Sequence, residues 1–292
     1  MVGELELVLD VKATLGEGPC WDREKQILYW VDILEKKVYL FNPETNENRG
    51  IQLEQYVGAI VPRNTDEAVV VLEDGFYFLN YTTEEVTLIE EPESHLKNNR
   101  FNDGKCDAYG RFWAGTMDKT FVDKQGALYC LEPNGTVTKK LSKVGLSNGL
   151  AWSPDQNFMY FIDTLAKTVT RFDFIMETGD IGNPKQIINF SKEEGLPDGM
   201  TIDEEGMLWI AHFGGAKVSR WNPKTGEQIA TIDVPALNVT SCGFGGRDLN
   251  ELYITTARSG LSEEQLQQYP LSGGLFRMKL DVKGMPAYSF RG

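Results

Sequence analysis

LSNGLAWSPDQNFMYFIDTLAKTVTRFDFIMETG, from Leu146 to Gly179, carries the pattern that decides the fold. A polar residue, Asn148, precedes Gly149, and a short apolar strand follows before the turn SPDQN. The aromatic strand MYFID comes next, then the alternating strand TVTRFDF and the closing turn METG. Period-two alternation broken by Pro, Asp, Asn and Gly marks short antiparallel strands. Downstream, LPDGMTIDEEGMLWIAHFGGAKVSRWNPKTG (Leu196–Gly226) repeats this grammar, as does VTSCGFGGRDLNELYITTA (Val239–Ala257) running on into GGLFRMKL from Gly273. Upstream copies are FNDGKCDAYGRFWAGTMD (Phe101–Asp118), continued by GALYCLEPNGTV from Gly126, and LGEGPCWDREKQILYWVDILEKKVYLFNPET (Leu15–Thr45). A degenerate copy, VGAIVPRNTDEAVVVLEDGFYFLNYTTEEVTLI, starts at Val57 and makes six units.

The period of roughly 40 to 50 residues is that of one four-stranded propeller blade. The repeat therefore predicts an all-β chain, with residues 1–292 forming a single six-bladed β-propeller domain of four-stranded blades. The N-terminal ELELVLD alternates like a strand and is expected to pair with the last blade, closing the ring and removing its edges. EPESHLKNN and LSEEQLQQ allow at most short turns of helix. A β-sandwich or two small β-domains would call for a linker-like shift in composition, and none occurs.

The 292 residues carry a formal charge of −14 and a pI near 4.7. Such a chain repels nucleic-acid phosphates and anionic membrane surfaces, so neither is an expected partner. The start, MVGELELVLDVKATLGEG, has no basic segment followed by an apolar run. No apolar stretch reaches the roughly 18 residues of a spanning helix, and a cytoplasmic location is expected. Cys20, Cys106, Cys130 and Cys242 are widely spaced and read as free thiols. With only His95 and His212 present, a histidine-rich zinc site is excluded, and a serine or cysteine triad would have to use one of these two.

The first strand of each blade lines the central channel, so residues recurring there face one another. In order they are Glu17, Gly58, Asn102 with Asp103, Asn148, Asp198, and Ser241 with Cys242. Such residues beside glycine are also common turn formers, but recurrence at one place in successive blades favours convergence. Glu17 and Asp198 would repel each other unless a divalent cation lay between them. With the Asn148 amide they would give an all-oxygen site suited to Ca²⁺, Mg²⁺ or Mn²⁺, with Zn²⁺ also compatible. Asn102 and Asp103 supply oxygens at the equivalent place. The string GLSNG, from Gly145 to Gly149, fits G-x-S-x-G but enters a strand rather than a helix, which argues against a Ser147 nucleophile. Trp30, Trp113, Trp152 and Trp209 recur with the blades and read as inter-blade core.

Together, LGEGPCWD, NNRFNDGKCDAYGRFWAGTMD, GALY, LSNGLAWSPD, LPDGMTIDEEGMLWIA, TSCGFGG and DVKGMPAYSF resemble the senescence marker protein (regucalcin), gluconolactonase and luciferin-regenerating enzyme family over nearly the whole chain. The resemblance implies one central divalent cation, Ca²⁺ in the first place, held by Glu17, Asn148 and Asp198. It implies a metal-dependent sugar lactonase that opens aldonolactones to aldonic acids, with Asp198 as general base. Arg100 and Asn102 would hold substrate hydroxyls, and Asp103 would order their loop or stand behind the ligands. The expected partner is a small sugar lactone, and the closed ring fits a monomer or weak oligomer. Animal members carry a substrate-contacting acidic residue soon after AGTM. Here the loop reads MDKTFVDKQG, which puts Thr120 near that position with Asp118 beside it. The competing functions are a calcium-binding regulator without turnover, an esterase or phosphotriesterase on the same metal site, and an interaction platform. Regulator and platform do not need Arg100 and Asn102 beside the ligands.

Overall fold

The computed structural model describes residues 3–292, so Met1 and Val2 of the predicted domain range lie outside it. Strand β1 (Glu6–Leu9) opens the chain. Blade 1 comprises β2 (Gly16–Asp22), β3 (Ile27–Asp32), β4 (Lys37–Asn42) and β5 (Glu47–Gln52). Blade 2 is β6 (Val57–Pro62), β7 (Glu67–Leu72), β8 (Phe76–Asn80) and β9 (Val86–Glu90). Blade 3 is β10 (Asn99–Cys106), β11 (Phe112–Asp118), β12 (Gly126–Leu131) and β13 (Val137–Val144). Blade 4 is β14 (Ser147–Trp152), β15 (Phe158–Asp163), β16 (Thr168–Ile175) and β17 (Asp180–Asn189). Blade 5 is β18 (Leu196–Ile202), β19 (Leu208–Phe213), β20 (Lys217–Asn222) and β21 (Glu227–Asp233). Blade 6 joins β22 (Asn238–Gly245), β23 (Glu251–Ala257) and β24 (Leu275–Lys279) to β1. One capped helical turn and a half, α1 (Glu263–Gln268), sits within LSEEQLQQ, whereas EPESHLKNN forms turns.

The predicted closure is present: β1 pairs antiparallel with β24, with Glu6 opposite Arg277 and Leu7 opposite Phe276. This joins the first and last strands of the chain in one sheet and leaves no blade open at the junction. The first strands, β2, β6, β10, β14, β18 and β22, contact one another in a closed ring around the axis. The core is divided accordingly. Six apolar clusters each fill the space between two adjacent blades, as where Trp113, Leu128, Leu150 and Phe161 meet between blades 3 and 4. Trp30, Trp113, Trp152 and Trp209 all belong to this buried set. All four cysteines are free. Among the described residues, no helix is long and apolar enough to cross a membrane.

Local sequence explains the repeated turns. Asp107 and Asp203 each stand six residues before a tryptophan and accept its indole N–H at 2.9 Å. The same carboxylates accept backbone N–H groups of their own turn, from Tyr109 and Arg111 and from Glu205 and Met207. A buried Asp thus satisfies turn donors and an inter-blade aromatic together. After β24 the chain returns across the blades. Met285 N donates to Ile202 O at 3.0 Å, Phe290 N to Pro62 O at 2.9 Å and Arg291 N to Gly110 O at 3.1 Å. Met285 to Tyr288 line a cavity in the channel with Gly18, Lys105 and Cys242.

Glycines let the first strands meet. A Cβ at Gly243 of blade 6 would stand 2.4 Å from Pro19 O of blade 1, and one at Gly149 of blade 4 would stand 2.8 Å from Asp198 O of blade 5. Gly243→Ala therefore overpacks the closing junction against backbone, which costs about 1–3 kcal/mol. Thermal unfolding of Gly243→Ala is expected to show a melting temperature several degrees below that of the parent chain. An unchanged value would contradict the close approach.

Candidate active site

The site residues sit where the first strands leave regular pairing. Register shifts fall between Glu17 and Cys20, Val57 and Ala59, Phe101 and Gly104, Ser147 and Leu150, Pro197 and Met200, and Val239 and Ser241. A bulge lifts one or two residues out of the pairing and re-aims their side chains. Asn102, Asp103, Asn148 and Asp198 lie inside these shifts, and Glu17 stands at the edge of its own. In blade 6 the residue inside the shift is Thr240, one position before Ser241. The loops leading into the site are tied down by the second strands. Asp32 at the end of β3 accepts Thr14 N at 2.7 Å and Leu15 N at 3.0 Å. Asp163 at the end of β15 accepts Gly145 N at 2.9 Å and Leu146 N at 3.1 Å.

Glu17, Asn148 and Asp198 come together on the axis and all are buried. Asn148 Nδ2 donates to Asp198 Oδ1 and, at 3.1 Å, to Thr164 Oγ1. Asn148 Oδ1 is buried and has no hydrogen-bond partner. Burial pushes the Glu17 carboxyl well above its ordinary value, and the neighbouring Asp198 and Asp103 carboxylates push it further; the Gly18 N–H at 2.8 Å only partly offsets this. Asp198 is likewise raised well above its ordinary value, by burial and then by Asp103, against a lowering hydrogen bond from Asn148. Asp103, for which the resemblance implied a role in ordering its loop or in standing behind the ligands, accepts Gly104 N at 2.7 Å and joins this cluster as a third carboxylate. Among the described residues no three His, Cys, Asp or Glu side chains are arranged to hold a metal ion, so any cation here would depend on the mixed carboxylate and amide set. An amide oxygen without a donor beside two repelling carboxylates is the donor set a hard cation takes.

Arg100 and Asn102 enter the same space. Arg100 Nη1 donates to Asn102 Oδ1 at 2.8 Å and to Phe101 O at 2.9 Å, and Asn102 Nδ2 donates to Ser147 O at 2.9 Å. Burial lowers the Arg100 guanidinium to about 10, with Glu17 the first of the groups opposing that fall, so it is charged at neutral pH. Asn102 thus keeps one N–H and one oxygen lone pair, the rest serving to hold Arg100 and the blade 3 to blade 4 junction. Thr120 does not turn inward as a free donor. Asp118 Oδ1 accepts its N–H at 2.7 Å and its hydroxyl at 2.5 Å, which holds the Asp118 carboxyl below its ordinary value. Lys119 pairs with Glu73 across from blade 3 to blade 2.

Other candidates fall into structural roles. His212 is fully buried, with Nδ1 2.9 Å from Glu194 O and Nε2 2.6 Å from Ser219 Oγ, and burial lowers its pKa. Ser147 Oγ is buried without a partner and sits in strand β14, with neither a histidine bonded to it nor a helix after it. Burial pushes the Cys20 and Cys242 thiols up to about 12, which makes them poor nucleophiles. Three residues carried no signal in the sequence: Thr164; Thr240, which donates to Gly16 O at 2.5 Å; and Lys105, whose Nζ reaches Met200 O at 2.5 Å. None of these positions recurs as a like residue from blade to blade.

Comparison with known proteins identifies the family. Residues 15–258 match the model of the SMP-30/Gluconolactonase/LRE-like region. A Bacillus subtilis (strain 168) protein given the name sugar lactone lactonase YvrE is 42% identical over 286 residues, covering 98% of both chains. Regucalcin of Gallus gallus is 39% identical over 295 residues, covering 99% of each. The crystal structure of a calcium-binding protein, regucalcin, from Agrobacterium tumefaciens str. C58 superposes with a TM-score of 0.95 at 28% identity, over 99% of this chain and 98% of that one. With a matched region spanning most of the chain and relatives near 40% identity along their full length, this protein belongs to the SMP-30/gluconolactonase/LRE-like family.

Proposed function

We propose that this chain is a carboxylic ester hydrolase that opens sugar lactones to the corresponding acids, with one divalent cation held by Glu17, Asn148 and Asp198. The observation that carries the reading is the buried, unpartnered Asn148 Oδ1 in one cluster with Glu17 and Asp198, two carboxyls raised first by burial and then by neighbouring carboxylates. The names of the relatives support both halves, lactonase from one and calcium binding from another. Calcium is the first choice because every donor is a hard oxygen. When bound, the cation supplies Lewis acidity toward a lactone carbonyl and lowers the pKa of a nearby water.

The chain's own groups do the rest. Asp198 takes a proton at Oδ from the attacking water as the new C–O bond forms, and returns it to the ring oxygen as the old C–O bond breaks. Arg100, braced through Nη1, directs Nε and Nη2 toward sugar hydroxyls and shares the charge developing on the carbonyl oxygen. Asn102 holds that brace and offers its remaining N–H to substrate. Burial of the cluster excludes bulk water and strengthens each of these interactions. The closed Asp118–Thr120 loop leaves Thr120 little to offer a sugar, so substrate preference differs from that of members with an acidic residue there.

Two measurements test this. Release of acid from glucono-, galactono- and xylono-lactone, followed with a pH indicator and corrected for spontaneous opening, is expected to vanish in EDTA and return with Ca²⁺ or Mn²⁺. Asp198→Ala is expected to lower the rate by about 10²–10⁴-fold, the range of general acid–base contributions. No metal-restored rate on any lactone, with calcium still bound, would favour a binding protein without turnover.

The second concerns stability without the cation. Since the folded-state pKa of Glu17 is raised, folding favours its protonated form, and stability falls as pH rises through that raised value. Glu17→Gln removes one repelling charge. In EDTA it is expected to melt above the parent chain near pH 8, with the gain shrinking as pH falls toward the ordinary carboxylate range. Added Ca²⁺ should raise the melting temperature of the parent and leave that of Glu17→Gln almost unmoved.

A further inference from the structure

The three residues proposed to hold the cation share a feature outside their own side chains. In each case the preceding carbonyl accepts a hydrogen bond from a buried polar side chain of the blade before it. Gly16 O accepts from Thr240 Oγ1 at 2.5 Å, Ser147 O from Asn102 Nδ2 at 2.9 Å and Pro197 O from Thr164 Oγ1 at 2.8 Å. Each ligand strand is thereby registered against its neighbour next to the bulge that presents the ligand.

Thr164 does more than the other two. Its hydroxyl has one proton and two lone pairs, and the proton is committed to Pro197 O. Toward Asn148 it can only accept. The amide nitrogen satisfies that demand at 3.1 Å, whereas the amide oxygen could not. Thr164 is 4% exposed and Asn148 is 3% exposed, so no bulk water substitutes for the hydroxyl. The hydroxyl therefore acts with Asp198 Oδ1, which accepts from the same nitrogen, to select the orientation of the Asn148 amide in which Oδ1 is left without a partner.

We infer that Thr164 is a positioning residue for the cation site: its hydroxyl, the acceptor on the Asn148 nitrogen that is not itself a proposed cation ligand, holds the amide with the oxygen available to a cation and registers Asn148 of blade 4 against the Pro197–Asp198 step of blade 5. The inference rests on the proposed cation site and adds a residue to it. Groups that orient a metal ligand from behind typically change metal affinity by about 10–100-fold when removed. Thr164→Val keeps the shape and deletes the hydroxyl, and Thr164→Ser keeps the hydroxyl and deletes the methyl. Thr240→Val removes the same kind of backbone tether beside Glu17 without freeing any amide.

The test is isothermal titration of Ca²⁺ into the metal-stripped full-length protein, together with melting temperatures in EDTA. Thr164→Val is expected to bind Ca²⁺ about 10–100-fold more weakly than the parent. Thr164→Ser should retain the parent's affinity, and Thr240→Val should lose less than Thr164→Val. Should Thr164→Val not fold, Thr164→Ala carries the same expectation. A merely structural threonine would lower the melting temperature in EDTA and leave the Ca²⁺ affinity of the folded protein unchanged. Affinity equal to the parent's in Thr164→Val, or equal losses in Thr164→Ser and Thr164→Val, overturns the inference while leaving the cation site standing. Absence of Ca²⁺ binding by the parent, or undiminished binding by Glu17→Gln, overturns the cation site and this inference with it.

Discussion

Three carboxylates, Glu17, Asp103 and Asp198, are buried together on the axis of a closed ring, and the rest of the molecule is arranged around that repulsion. Dispersing them into solvent would relieve the charge, but the ring does not permit it. Each group is carried by a first strand packed against two neighbouring blades, and the blades are joined by apolar clusters that together form the core. Opening the axis would mean separating those clusters. Arg100 and Lys105 lie close enough to offset part of the charge, Arg100 against Glu17 and Asp198 and Lys105 against Asp103. Neither forms an ion pair with the cluster among the described residues, so the offset is partial.

The same constraint accounts for the irregular backbone. In a regular strand the residues of one face point alike, and only some could reach the axis. The six register shifts bring one place per blade to the channel, and glycines on the first strands allow neighbouring backbones to approach there. A β-propeller gains its stability between blades, so irregularity on the innermost strand costs little so long as the apolar contacts farther out are kept. The exposed fourth strands confirm the gradient: Val86–Glu90 and Glu227–Asp233 are largely solvent-facing, while Ser147–Trp152 and Asn238–Gly245 are wholly buried.

This gradient also explains what could be read from the sequence. The six units, their four strands and the closing role of ELELVLD were legible because they rest on apolar alternation and turn residues repeated from blade to blade. Glu17, Asn102 with Asp103, Asn148 and Asp198 stood out for the same reason, each beside a glycine at one place in the unit, whereas the choice of Glu17, Asn148 and Asp198 among them rested on the family resemblance. Asp103 was seen but given a lesser role, because proximity of a third carboxylate depends on how the bulges turn and not on spacing. In blade 6 the candidate fell on Ser241 with Cys242, because counting back from Gly243 ignores a shift that holds one residue where blades 4 and 5 hold two.

Thr164 and Thr240 were invisible for a different reason. Thr164 follows the last residue of a second strand, where the other blades place such unlike residues as Ile33, Lys119 and Gly214. A repeat search finds what the blades have in common, and a hydrogen bond that joins two particular blades is by nature what they do not share. The pseudo-symmetry builds a ring able to bring six side chains to one axis. The departures from it, a glycine where blade 2 has Gly58, a carboxylate in blades 1 and 5, an amide in blade 4 and a hydroxyl behind it, turn that ring into a site with a defined charge and a defined donor set. Function in this fold therefore resides in the differences among equivalent positions, and those differences are energetically possible only because the equivalent apolar contacts already hold the ring closed.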